Sequence, residues 1–180
     1  MTLLKIARMG HPVLQGPAEE IADPTAPELR LLVRDMLETM EDAGGTGLAA
    51  PQVHVPRRLV LFFVSPSPGA PDGIPLTVLV NPEIVPLDRE SALGWEGCLS
   101  VPGLIGEVPR HTRIRYRGLG LDGATIEREA HDYHARVVQH EVDHLDGILY
   151  PQRMQDLGRL IFESEQRHLS RSETERGEAE

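Results

Sequence analysis

His140-Glu141-Val142-Asp143-His144 sets two imidazoles four residues apart, with a carboxylate beside the first. On a helix, side chains at i and i+4 stand on one face, so both rings can close on a single metal ion. Glu141 points partly off that face, where it can reach a water on the metal without binding the metal itself. Such an arrangement makes hydroxide at neutral pH and supplies a base beside it. The flanks support a half-buried helix. Ala135, Val137, Val138 and Leu145 recur at helical spacing, and Gly147 follows as a stop.

Two imidazoles leave a metal site incomplete. The single cysteine, Cys98, lies in Trp95-Glu96-Gly97-Cys98-Leu99-Ser100 ahead of a Ser-Val-Pro-Gly turn, which reads as loop. It has no partner for an internal disulfide. A thiolate with two imidazoles and one open position is a catalytic ligand set. The residues alone leave two other arrangements open. A zinc peptidase of the thermolysin type would take its third ligand downstream, from Glu163 or Glu165. A closed, non-catalytic site would add a fourth side chain such as His111, although closed zinc sites are usually cysteine-rich.

A third segment, Gly44-Gly45-Thr46-Gly47-Leu48-Ala49-Ala50-Pro51-Gln52, has glycines that let a ligand approach the main chain closely. It lacks the Lys-Ser/Thr of a phosphate-binding loop. Gln52, at its end, offers an amide that can donate to an oxyanion.

With these segments in view, the chain resembles the peptide deformylase family. The family's glycine-rich first motif, GxGLAAxQ, is matched at Gly45 to Gln52, its EGCLS at Glu96 to Ser100, and its QHExDHLxG at Gln139 to Gly147. Gly10-His11-Pro12-Val13-Leu14 is similar to its N-terminal segment, and the likeness runs from about residue 3 to residue 160. The resemblance implies a hydrolase that removes the formyl group from the N-terminal methionine of newly made proteins. Cys98, His140 and His144 would hold one divalent metal ion per chain, Fe²⁺ in the cell, with Zn²⁺ or Ni²⁺ in purified material. Metal-bound hydroxide would attack the formyl carbon, with Glu141 as general acid and base. The Gln52 amide and the Leu99 backbone N–H would hold the oxyanion, each such donor being worth about 3 kcal/mol.

Around that centre, Gly45, Gly47 and Gly97 are expected to line the substrate path. Glu96 and Arg110 are expected to pair near Cys98 and fix its loop. Tyr133, Arg136 and Val137 lie one or two turns before Glu141, on its side of the helix. The family often has aliphatic residues there for the methionine pocket, so Tyr133 and Arg136 imply a more polar or narrower one. Thr46 likewise stands where an aliphatic residue is usual.

The elements that must position these groups fit one α+β domain. Mixed, mainly antiparallel strands surround a central catalytic helix, with an N-terminal and a C-terminal helix. Leu29, Leu32, Val33, Met36, Leu37 and Met40 predict a helix over 28–40, stopped by Gly44 or Gly45. The catalytic helix is expected over 132–145 and a last helix over 157–169. Strands are expected at 59–64, 77–80 and 113–117, and a Pro/Gly/Ser-rich surface loop over 65–75. Residues 1–162 form the expected catalytic domain. Residues 163–180, with six glutamates against three arginines, form an acidic, flexible tail.

At 180 residues and 40% apolar content the chain can build one core, and no run reaches transmembrane length. A net charge of −10 argues against direct nucleic-acid binding. Cytoplasmic localisation is expected, with N-formyl-methionyl nascent peptides as partners and transient proximity to the ribosome. The remaining histidines read as structural or exposed. His134 stands out among them because it shares the catalytic helix.

Overall fold

The protein is described here by a computed structural model covering residues 3–66 and 73–169. The centre of the expected surface loop (67–72) and most of the expected acidic tail (170–180) lie outside the described residues.

Helix α1 spans Pro27–Asp42. Pro27 sits in its first turn, where a missing N–H removes no helical bond. Gly44, at φ 66°, turns the chain out of the helix, and the Gly45 N–H donates to Met40 O at 2.9 Å. Leu29, Val33, Met36 and Met40 bury the apolar stripe against β1 (Gly47–Ala49) and β2 (Leu59–Val64). The chain continues through β3 (Ile74–Pro86), β4 (Ser91–Cys98), β5 (Val101–His111), β6 (Arg113–Leu119) and β7 (Thr125–His131). Helix α2 (Asp132–Leu145) and a short β8 (Leu160–Phe162) follow.

Both sheets are antiparallel throughout. One has the order β1-β2-β3-β6-β7 and the other β4-β5-β8. Ala135, Val138, Val142 and Leu145 of α2 share a core with Val60, Phe62, Leu79, Ile114 and Tyr116 of the larger sheet. A smaller core of Val101, Val108, Leu149 and Tyr150 lies under the β4–β5 hairpin, which faces α2 from the other side. The fold is therefore α+β, with mainly antiparallel strands around a central helix.

Several elements differ from the sequence reading. The helix expected over 157–169 is broken. Leu160–Phe162 pairs with the free edge of β5, and Glu163–His168 forms a 3₁₀ helix beyond it. Open ladder groups on β5 outcompete a helix whose stripe is short. Cys98, expected in a loop, is the last residue of β4, paired with Val101 across the hairpin turn. Strands β1, β4, β5 and β7 lie outside the expected ones. Gly and Pro punctuate β5 at Pro102, Gly103, Gly106 and Pro109, yet a Cβ at Gly106 would lie 2.8 Å from the Tyr150 ring. Close packing, not a turn, accounts for that glycine.

His134 is a core residue. Its ring packs 6.0 Å from Phe62 and 5.5 Å from Tyr116, and its Nε2 is buried without a hydrogen-bond partner. Burial, then the charges of Arg128 and His131, lower its pKa to about 4. An unfolded chain protonates this imidazole near pH 6.5. Between pH 6.5 and about 4 the unfolded state thus binds a proton that the native state does not, and stability falls as pH falls through that window. Thermal melts of His134→Phe should lose less stability than wild type between pH 6.5 and 4.5. Parallel curves would rule out His134 as a source of the acid sensitivity.

Candidate metal centre

The end of β4 and the middle of α2 meet at one point. Cys98 Sγ and one ring nitrogen each of His140 and His144 all lie within 4.8 Å of one another. Sγ is 3.4 Å from His144 Nε2. The helix supplies both imidazoles because i and i+4 stack on one face, and their ring centroids are 5.0 Å apart. Tyr150 stacks on His140 at 6.3 Å. Among the described residues this is the one group of three or more His, Cys, Asp or Glu side chains able to hold an ion. Glu163, Glu165 and His111 do not join it.

The donor set suits a divalent cation. His140 Nδ1 is 2.8 Å from Glu96 Oε2, which fixes the tautomer and leaves Nε2 for the ion. Burial opposes charge on His140, but the hydrogen bonds of Cys98 and Glu96 raise its pKa well above the usual range. Burial, then the neighbouring His140, holds His144 well below that range.

Glu96 is itself anchored. It is buried and carries a bidentate pair with Arg110, Nε to Oε1 at 2.9 Å and Nη2 to Oε2 at 3.0 Å. Burial would raise its pKa, but the His140 and Arg110 hydrogen bonds prevail and bring it down to about 2. Arg110 also donates to Asp143, which in turn pairs with Arg153 at 2.7 Å. Asp143, between the two histidines, and Arg153 were missed by the sequence reading. An acid inside the motif was the available signal for Asp143; nothing marked Arg153.

Glu141 is buried beside these three side chains, and its Oε2 has no hydrogen-bond partner. Burial raises its pKa to about 7. A Cβ at Gly47 would lie 2.6 Å from Glu141 Cδ, so this glycine makes room for the carboxylate. Gly45 plays a similar part toward Leu99, whose Cδ1 would be 2.9 Å from an added Cβ. Gln52 Oε1 accepts from the Ala49 N–H at 2.8 Å. That orients its Nε2 toward Cys98 Sγ (3.5 Å) and Ser100 Oγ (3.2 Å).

A cavity of about 540 Å³ opens over these groups. Gly45, Gly47, Gly97, Leu99, Tyr133 and Val137 line it, and so does Glu163. Arg136 is also in the lining, but its guanidinium is turned to Glu96 Oε1 (2.8 Å) and to three strand carbonyls. Tyr133 is half-exposed at the start of α2. The residues expected in the site thus line one pocket, except His144 and Arg110, which are buried and do not reach its lining.

Comparison with known proteins agrees with this arrangement. A sequence model of the polypeptide deformylase family matches residues 3–160. Peptide deformylase 1 of Bordetella pertussis is 53% identical over 159 residues, covering 87% of this chain and 90% of that protein. Peptide deformylase 1 of Nitrosomonas europaea is 50% identical over the same length and coverage. Among solved structures, a Met-Ala-Ser-bound class I type b peptide deformylase from Acinetobacter baumannii superposes with TM-score 0.79 at 38% identity, covering 85% of this chain and 99% of that one. The Thermotoga maritima peptide deformylase gives 0.79 at 34% identity, with 87% and 100% covered.

Proposed function

This chain belongs to the peptide deformylase family, a family of metal-dependent hydrolases, and we propose that it removes the formyl group from the N-terminal formyl-methionine of nascent polypeptides. The observation that carries the reading is the convergence of Cys98, His140 and His144 beside Glu141, whose Oε2 has no partner, at an open cavity.

Cys98, His140 and His144 would hold one divalent ion, Fe²⁺ in the cell, with Zn²⁺ or Ni²⁺ able to replace it. Such an ion supplies a Lewis acid that polarises the formyl oxygen and makes water acidic near neutrality. The chain's own groups do the rest. Glu141, with its pKa about 7, is poised to accept the proton of the attacking water and pass it to the nitrogen of the leaving amine. The C–N bond breaks, and formate and a free α-amine leave. The Gln52 amide, held by Ala49, and the Leu99 backbone N–H donate to the oxygen that gains charge as the carbonyl carbon becomes tetrahedral. Gly45, Gly47 and Gly97 let the substrate main chain come close, and Val137 with Tyr133 and the stem of Arg136 receives the methionine side chain.

The catalytic unit is residues 1–162. A substrate that exists only on new chains implies action in the cytoplasm, transiently near the ribosome, with no nucleic acid bound directly. Among the described residues no helix is long and apolar enough to cross a membrane. The test is formate release from formyl-Met-Ala-Ser by freshly metallated protein kept under reductant. Turnover is expected at an ordinary enzymatic kcat, on the order of 10 per second. An absence of formate from protein carrying one ion per chain would overturn the assigned activity.

A further inference from the structure

Arg136 lies one turn before His140 on α2, and its guanidinium does not face the substrate space. Nη1 reaches Glu96 Oε1 at 2.8 Å, Val108 O at 2.7 Å and Gly94 O at 3.2 Å, while Nη2 reaches Ala92 O at 2.7 Å. The side chain is only 11% exposed. Glu96 therefore receives four donors on two oxygens. Oε1 takes Arg110 Nε and Arg136 Nη1; Oε2 takes Arg110 Nη2 and His140 Nδ1.

The two arginines constrain different motions. A bidentate Arg110 pair fixes the carboxylate plane relative to β5, on which Arg110 sits, and its Nη1 reaches α2 only beyond His140, at Asp143. Arg136 couples the same carboxylate to α2 and locks both to the β4 and β5 carbonyls. Gly94 is shaped for this, because a Cβ there would lie 2.7 Å from Arg136 Nη2.

We propose that Arg136 is a positioning residue for the metal centre: it orients Glu96 so that Oε2 holds His140 in coordinating geometry, and Gly94 is the clearance that admits its guanidinium. The inference rests on the metal-site reading above and assigns Arg136 to support of a ligand, beyond any contact of its stem with substrate. A carboxylate behind a metal-bound imidazole commonly accounts for 10- to 100-fold in metal affinity. A lysine does not reproduce the planar fork, because a single nitrogen cannot stand where both Nη1 and Nη2 do, so Ala92 O loses its donor even where Glu96 keeps one.

The test is Co²⁺ titration of the metal-free protein, followed by the visible spectrum of the bound ion. Arg136→Met should bind Co²⁺ about 10- to 100-fold more weakly and shift the ligand-field bands. Gly94→Ala should change both in the same direction, and the double variant should be no worse than Arg136→Met alone. Wild-type affinity and bands in Arg136→Met, with only a lower melting temperature, would overturn the proposal and leave Arg136 as a staple between helix and hairpin. If Arg136→Met does not fold, Arg136→Gln carries the same comparison, and wild-type Co²⁺ binding there overturns it equally. No substrate is involved, so a wild-type protein that fails to release formate sinks the deformylase reading without deciding this one.

Discussion

Glu141→Gln should lower kcat for formate release by about 10²- to 10⁴-fold while the protein folds and binds one Co²⁺ per chain. Glutamine has the shape of glutamate, so the clearance at Gly47 is preserved and no packing change confuses the result. What is lost is the capacity to take and return a proton. Its environment makes that capacity useful, because burial brings the carboxyl to about 7, whereas a solvated glutamate would be a far weaker base. KM for the formyl peptide should change little, since Glu141 is assigned no part in ground-state binding. A variant within a few-fold of wild-type kcat would remove Glu141 from the proton transfer, even with the metal site intact.

Cys98→Ala should abolish stoichiometric binding of a divalent ion at micromolar protein and, with it, all measurable formate release. Two imidazoles on one helix remain, but they form an incomplete set for a catalytic ion. Glu163→Ala should retain the ion. This pair of variants separates the Cys-His-His centre from one closed by a downstream carboxylate. The geometry already favours the former, since Glu163 lines the cavity without joining the three ligand atoms. Retention of metal in Cys98→Ala together with its loss in Glu163→Ala would reverse the assignment. Metal content by elemental analysis decides the question independently of turnover.

The contrast between what the sequence reveals and what it hides follows from the range of the interactions. His140 and His144 are legible because helical periodicity is local: spacing alone places both rings on one face. The stripe ending at Met40 and its stop at Gly44 are legible for the same reason. Cys98 is legible as a candidate ligand through chemistry, yet its position at a strand end is not. The β4–β5 hairpin is built from cross-strand pairs that Gly and Pro disguise as turn. Arg136 is the clearest case of a nonlocal role. Its position on the helix suggests the pocket, but strand carbonyls and Glu96, 28 to 44 residues away in sequence, direct its guanidinium elsewhere. The final segment fails similarly, because the free edge of β5 captures Leu160–Phe162.

The missing side chain at residue 47 also bears on inhibition. Any methyl group there would collide with the carboxylate of Glu141, so the gene has little freedom at this codon without displacing the group proposed as the base. A drug gripping the main chain at that spot would press on a surface where resistance and catalysis exclude each other.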